Sequence, residues 1–269
     1  MRYMSVIRVF ATYGLVFLLA IGFVSAQAQT FSDTDKETRW AEQVSETLFD
    51  GEVVWLLAGQ HEFLAIEMRP DSGAVKNAVI VVHGIGVHPN WEQVIRPVRV
   101  QMAEAGWVTF SIQMPILPNE ATALEYQPLF DEVPARFSAA IRFLKENGAE
   151  NIVIVSHSLG AAMSAWYLAQ ADSGDISALV VIGMNAQTSS MPVDTARAIR
   201  KVQIPILDIY GGEDLEAVIS TSARRASAAY TGGNPDYRQI RIDEANHFFD
   251  GQENQLVELI LSWLEKRGN

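Results

Sequence analysis

The chain has 269 residues, 49% of them apolar, with a formal charge of −12 and no cysteine. That length and apolar content suffice for one large core. The acidity argues against nucleic acid or an anionic membrane surface as partner, and the lack of cysteine excludes disulfides, thiolate metal sites and a lipid-modified N-terminal cysteine.

Arg2 and Arg8 precede an apolar stretch over 9–24, and Ala26-Gln27-Ala28 then supplies a small-x-small cleavage motif. The stretch of about 16 residues is shorter than the ~20 a spanning helix needs. A leader over 1–28, cleaved after Ala28 or after Ala26, and a periplasmic or secreted mature protein are therefore expected. Residues 29–51 hold an amphipathic helix over 33–50, with Trp40, Val44 and Leu48 at i, i+4 and i+8. Residues 52–269 read as one domain. A hairpin over 53–58 and 63–68 turns near Gly59-Gln60-His61. Strands and helices then alternate: strand 77–82 and helix 91–105, strand 107–113 and helix 134–147, strand 152–155 and the helix after it. Strand 178–184 precedes helix 194–202, strand 206–210 precedes helix 216–230, and strand 238–242 precedes helix 254–266. Repeated βα units of this kind imply an α/β class with a mostly parallel central sheet covered by helices on both faces. Functional groups on such sheets lie at the carboxyl ends of the strands.

Four of those strand ends carry chemistry. The run Ile152 to Val155 stops at Ser156-His157-Ser158-Leu159-Gly160, and a small-residue stretch with Ala161 and Ala162 follows. This is a strand, sharp turn and helix of the G-x-S-x-G type, with Ser156 in place of the first glycine. The turn exposes Ser158 Oγ and aims the Leu159 N–H, at a helix N-terminus, at the position where an oxyanion would form. Ser156 is the next size up from glycine and is expected to fit with mild strain. Strand 77–82 ends in His83-Gly84-Ile85-Gly86, a loop able to turn back and present the Ile85 N–H as a second donor. Strand 206–210 ends in Gly211-Gly212-Glu213-Asp214, and the last strand leads into Asn246-His247-Phe248.

In that order these segments resemble the α/β-hydrolase superfamily over most of the chain from Val53 onward, in which the nucleophile, acid and histidine follow one another in sequence. The segments 84–91 and 111–115 narrow the likeness. They resemble an uncharacterised family of exported proteobacterial α/β-hydrolase-like proteins, catalogued as a domain of unknown function. The resemblance implies a serine hydrolase acting on a carboxylic ester-type bond, with an acyl-enzyme intermediate and no large lid domain. Between Ala186 and Ile204 there are too few residues for such a lid.

Role assignment then follows the chemistry. A serine hydroxyl needs a base within hydrogen-bond reach. Of the five histidines, His247 alone sits where this fold delivers its base. His61 lies in a hairpin turn, His83 is expected to shape its loop, His88 lies in a Gly-Val-His-Pro stretch, and His157 is expected to point away from Ser158. Asp214 is the first choice of acid and Glu213 the reserve. Trp91, Gln113, Met114, Met184 and Phe248 are expected to line a mixed apolar pocket, with the irregular segment 115–133 as one wall. A small-molecule ester or thioester is the expected partner. No metal and no cofactor is implied: His83 and His88 lack acidic companions at ligand spacing, and Gly84-Ile85-Gly86 lacks the rest of a dinucleotide fingerprint. Two other classes fit the same pattern. One is a non-catalytic, hydrolase-like binding protein of the cell envelope, and the other is acyl transfer to an acceptor other than water.

Overall fold

The computed structural model describes residues 31–73, 75–170 and 173–267. The expected leader, 1–28, lies outside the described residues.

The first helix, α1 (Thr34–Thr47), is started by Asp33, whose carboxylate accepts from the Lys36 N–H at 2.9 Å, and by Asp35 and Glu37 in its first turn. It stops at Thr47 rather than at residue 50, because Leu48 is already extended. Two antiparallel strands follow, β1 (Glu52–Ala58) and β2 (His61–Met68), and His61 belongs to the second strand rather than to the turn. Ala41 and Val44 of α1 pack on Leu64 and Ile66 of β2.

The remaining strands are β3 (Asn77–Val82), β4 (Val108–Ile112), β5 (Asn151–His157), β6 (Ala178–Ile182), β7 (Ile206–Glu213) and β8 (Tyr237–Asn246). They join the hairpin in one eight-stranded sheet of order β1-β2-β4-β3-β5-β6-β7-β8. The first three strands in that order pair antiparallel, and from β4 onward every pairing is parallel. Strands β3 to β6 are buried on both faces, which is why they read as unbroken apolar runs. Helices α2 (Ile95–Glu104) and α8 (Glu253–Glu265) cover the face lined by Val79, Val81, Val153 and Val155. Helices α3 (Val133–Glu146), α4 (Leu159–Leu168), α5 (Thr195–Lys201) and α7 (Ser222–Thr231) cover the face lined by Ile80, Val82, Ile154 and Val181.

Three expected elements shift. Helix α2 begins four residues later than residue 91, since 88–94 is a turn in which the Trp91 N–H donates to the His88 carbonyl and Val94 has φ +60°. The helix expected over 216–230 is two helices, α6 (Glu216–Ser220) and α7, which break at Thr221, where the Thr221 hydroxyl donates to the Ala217 carbonyl at 2.6 Å. The segment 115–133 is not irregular throughout. It contains a 3₁₀ helix, Ala123–Glu132, begun by a Thr122/Glu125 capping box.

Helix α1 is locked to the domain by a buried ion pair. Arg136 of α3 reaches both carboxylate oxygens of Glu37, at 3.0 and 2.8 Å, and its guanidinium lies over the Phe63 ring. The His61 ring meets Glu37 Oε2 at 2.9 Å, and the Ser32 hydroxyl donates to the other oxygen. Burial disfavours the Glu37 charge, but the bonds from His61, Arg136 and Ser32 outweigh it and hold its pKa below the usual carboxylate value.

Replacing Glu37 by Ala strands a fully buried guanidinium, so the Glu37→Ala chain should lose about 3–5 kcal/mol in urea unfolding at neutral pH. Because the folded-state pKa is depressed, this contribution is complete above the unfolded carboxylate value of ~4.3 and is lost as pH falls through the lower folded value. The gap between wild type and variant should therefore narrow on acidification, and a gap independent of pH would count against the clasp.

Candidate active site

Ser158 stands between β5 and α4 with φ +55° and ψ −120°, a conformation that L side chains rarely adopt. Such a residue costs roughly 1–3 kcal/mol and persists only where its surroundings over-determine it. Here they do. The Ser158 N–H donates to the Ile182 carbonyl of β6 at 2.9 Å, and the Ser158 carbonyl accepts from Ala161 of α4 at 3.1 Å. Gly160 is required for a different reason: a Cβ there would overlap the His83 carbonyl oxygen, so α4 can start only if that position has no side chain. Ser156 occupies the first glycine position without a positive φ, and its hydroxyl donates to the Val180 carbonyl at 3.1 Å. The expected strain at Ser156 is thus replaced by a satisfied hydrogen bond within the sheet.

His247 follows β8 and brings its ring to the serine. Ser158 Oγ lies 3.0 Å from His247 Nε2, and His247 Nδ1 lies 2.6 Å from Asp214 Oδ1. With Nδ1–H donating to the carboxylate, Nε2 is left as an acceptor for the serine hydroxyl. Asp214 also accepts from the Gly211 and Leu215 N–H groups, at 3.2 and 2.7 Å. Burial opposes its ionisation, but His247 and these two amides outweigh that penalty and hold its pKa below the normal value. Glu213, the reserve acid, is exposed and pairs with Asn246 in the sheet register. The turn carrying His247 is fixed by Asn246, whose side-chain oxygen accepts from the Phe248 and Asp250 N–H groups, and by Phe249, which is fully buried.

Two further histidines brace this arrangement. His157 points away from Ser158 and meets the His247 carbonyl at 2.9 Å. Burial lowers its pKa to about 3, so the ring is neutral and its Nε2–H donates to that carbonyl. His83 is likewise neutral, with a pKa pushed by burial to about 4. Its Nδ1–H donates to the Gly84 carbonyl at 2.8 Å, while Nε2 accepts from the Met114 N–H at 2.9 Å and from the Gln113 side chain at 3.0 Å. The Gly84–Ile85 peptide is trans, so fixing the Gly84 carbonyl also fixes the direction of the Ile85 N–H. Gly84 packs against the elbow, where a Cβ would lie 3.2 Å from that of Ser158. The Leu159 N–H opens α4 and is one of its unpaired N-terminal amides.

The expected lining residues divide. Phe248 is 39% exposed and sits edge-on to the His247 ring at 5.2 Å. Trp91 lines a groove of about 310 Å³ together with Ile85, Trp40 and Tyr126. Gln113, Met114 and Met184 are each at most 1% exposed: Met114 and Met184 lie in the apolar core, and the Gln113 side chain bonds to the His83 ring and the Met114 carbonyl. Among the described residues no group of three or more His, Asp or Glu side chains is arranged to hold a metal ion. A larger cavity of about 670 Å³, lined by Tyr237, Trp263 and Arg267, contains none of the residues above.

Sequence reasoning missed Gly183. It follows β6 with φ +59°, and a Cβ there would lie 3.0 Å from both Nδ1 and Cε1 of His247 and 3.4 Å from Asp214 Oδ2. A glycine directly after a buried apolar strand, at the end of the sheet where the other groups gather, was the available signal.

The sheet order, the elbow and the position of the three side chains define an α/β-hydrolase fold. The chain belongs to the family described as protein of unknown function DUF3530, whose model matches residues 20–130 and 118–266. No curated protein sequence matches it. Solved structures that share the fold include Est1E from Butyrivibrio proteoclasticus, 14% identical over 81% of this chain and 98% of that one, with a TM-score of 0.63. A dienelactone hydrolase from Anabaena variabilis is 20% identical over 81% and 97%, also at 0.63. XC6422 from Xanthomonas campestris, described as a member of a/b serine hydrolase without lid, is 15% identical over 81% and 94%, at 0.61.

Gly183→Ala should leave the chain folded and displace the His247 ring. A shift of the order of 1 Å in a reacting group costs roughly 100-fold in rate. Turnover of an activated ester is the measurement, with near-unchanged circular dichroism as control. Full activity in Gly183→Ala would mean that the ring position is not what limits this site.

Proposed function

We propose that the chain is an exported serine hydrolase that cleaves a carboxylic ester-type bond through Ser158, His247 and Asp214. The observation that carries this reading is the continuous hydrogen-bonded chain from Ser158 Oγ through the His247 ring to a buried, ionised Asp214. The names of structural relatives, a dienelactone hydrolase and an a/b serine hydrolase among them, support hydrolysis at a carbonyl carbon.

In the first step Ser158 Oγ bonds to the ester carbonyl carbon while its proton passes to His247 Nε2, and the carbonyl oxygen takes the negative charge. The Leu159 and Ile85 N–H groups are the donors for that oxyanion, worth about 3–4 kcal/mol each by analogy with measured cases. Collapse of the adduct breaks the bond to the alcohol oxygen, which leaves with the proton from His247 and produces an acyl-Ser158 ester. Water then attacks that ester. His247 takes the water proton and returns it to Ser158 Oγ as the acid departs. Asp214 holds the ring in the required tautomer and stabilises the imidazolium that forms twice.

Between β6 and α5 the chain runs over residues 183–194 and contains no inserted helix or strand. A permanently open site follows, suited to soluble esters with small acyl groups. The leader over 1–28 belongs to the same reading. N-terminal sequencing of exported protein should find Gln29 or Gln27, whereas an intact Met1 in a membrane fraction would favour an anchor.

A fluorophosphonate probe should label the wild type and fail to label a folded Ser158→Ala chain. Labelling that persists in the variant would falsify the nucleophile assignment. Nitrophenyl acetate and butyrate should be hydrolysed with simple saturation. A sharp rise in rate as substrate passes its solubility limit would show instead that the 115–133 segment moves as a lid.

A further inference from the structure

We propose that Tyr126 is a positioning residue for the oxyanion donor: together with Lys36 it holds the Gly86 end of the 83–86 loop, and so keeps the Ile85 N–H aimed at the ester carbonyl oxygen. The inference rests on the hydrolase reading above and adds to it two residues outside the triad.

A backbone donor stabilises an oxyanion only if it lies about 2.7–3.1 Å from where the charge develops. The Ile85 N–H sits in a loop with little to hold it by itself. Glycines flank Ile85 on both sides, Gly86 has φ +68°, and the Ile85 side chain is 37% exposed. One end of the loop is fastened, by the His83 bond to the Gly84 carbonyl and by the packing of Gly84 on Ser158. The plane of the Gly84–Ile85 peptide also depends on the Ile85 Cα, so the chain beyond Ile85 must be held as well.

Tyr126 and Lys36 meet that requirement at Gly86. A Cβ on Gly86 would lie 3.7 Å from Lys36 Nζ and 3.9 Å from the Tyr126 hydroxyl, so both polar tips stand against this residue. The tips are joined through Leu117. Its N–H donates to the Tyr126 hydroxyl at 2.9 Å, and its carbonyl accepts from Lys36 Nζ at 2.8 Å. Lys36 Nζ also donates to the Asn119 side chain at 2.7 Å. Burial raises the Tyr126 pKa, and hydrogen bonds from the Leu117 and Gly86 amides work against the rise. The phenol oxygen is therefore shared between the 115–133 segment and the loop that carries the donor.

The surroundings of Tyr126 show that the hydroxyl matters and not only the ring. In the 3₁₀ helix Leu124, Glu125, Gln127 and Pro128 are exposed, while Tyr126, Leu129 and Phe130 are buried. A ring alone would fill the apolar side, as Phe130 does one turn further on. A buried hydroxyl costs free energy unless it is bonded, and here its partners are backbone amides outside the helix. Lys36 comes from α1, Leu117 from the chain after β4 and Tyr126 from the 3₁₀ helix. Three parts of the chain thus converge one residue beyond the donor, and the 115–133 segment serves as a fixed brace for it.

The test compares 4-nitrophenyl butyrate with its thionoester, in which C=S replaces C=O. Sulfur is a weak hydrogen-bond acceptor, so the ratio of the two kcat/KM values reads the oxyanion donors. Loss of one donor costs about 100- to 1,000-fold in kcat, and a displaced donor should cost part of that. Tyr126→Phe removes only the hydroxyl. It should lower kcat for the ester at least about tenfold with KM little changed, and lower the ester-to-thionoester ratio with it. A merely structural loss reduces turnover of both substrates alike and leaves the ratio unmoved. Lys36→Met, which frees the Leu117 carbonyl, should shift the ratio in the same direction and decides the matter if Tyr126→Phe does not fold. An unchanged ratio in a folded variant whose Ser158 is still labelled by fluorophosphonate would overturn the positioning role and leave the hydrolase reading standing. A wild type that is neither labelled nor active on either substrate would overturn the hydrolase reading, and this role with it.

Discussion

The contact on which the rest of this site depends is the close approach of α4 to the end of β3. Gly160 brings the first turn of α4 against the His83 carbonyl so tightly that no other residue fits. This contact holds Ser158 at φ +55° between two strands that are themselves fixed by the parallel sheet. The strain of that conformation, roughly 1–3 kcal/mol, is small against the burial of β3, β5 and β6, where each fully buried Val or Ile contributes about 1.5–3 kcal/mol. A strained serine is therefore tolerated at this point in the sheet, and would not be at an exposed edge such as β1.

Two buried, neutral histidines extend that rigidity to the loops on either side. His83 donates to the Gly84 carbonyl and accepts from the Met114 N–H, so it ties the 83–86 loop to the chain leaving β4. His157 donates to the His247 carbonyl and so ties β5 to the loop after β8. Both use an imidazole as a short polar strut. Burial keeps them uncharged, at pKa values of about 4 and 3, so neither places a positive charge beside His247 near neutral pH. A lysine or arginine in either position would make similar bonds to carbonyls but would disfavour the imidazolium that the proposed mechanism forms.

How much of this was legible in the sequence depends on the range of each interaction. The elbow is a local pattern, strand then small residues then helix, and it is written within 152–164. The positions of Asp214 and His247 were legible because the first follows the apolar run 206–210 and the second follows the alternating stretch 237–243. What escaped were contacts between segments far apart in the chain. Glu37 meets Arg136 across 99 residues, and His157 meets His247 across 90. No spacing rule links such pairs. Gly183 escaped because its role is to leave room for a ring delivered from another strand. The burial of Gln113, Met114 and Met184 escaped for a related reason. They stand at the correct end of the sheet, but which way a side chain turns after the last paired residue depends on the loop that follows. The break at Thr221 was hidden because 216–230 has helical composition throughout, and the chain leaves helical geometry at that one residue, with φ −100° and ψ 4°.

The rim of the site carries a pattern that links sequence to chemistry. Gly84, Asp214 and His247 are buried, and the residues that follow them, Ile85, Leu215 and Phe248, are 37%, 55% and 39% exposed. In each loop one group turns inward toward Ser158 or its partners, and its neighbour turns outward as a large apolar side chain. This alternation places three large apolar side chains at the mouth of the site in a chain of net charge −12. The mouth has two physical consequences on the proposed reading. It removes water from the neighbourhood of the forming oxyanion, where backbone donors gain strength as the local dielectric falls. It also lets substrate binding draw on burial of apolar area, about 25 cal/mol per Å². Asp214, the carboxylate built into the site, stands behind His247, which lies between it and the serine.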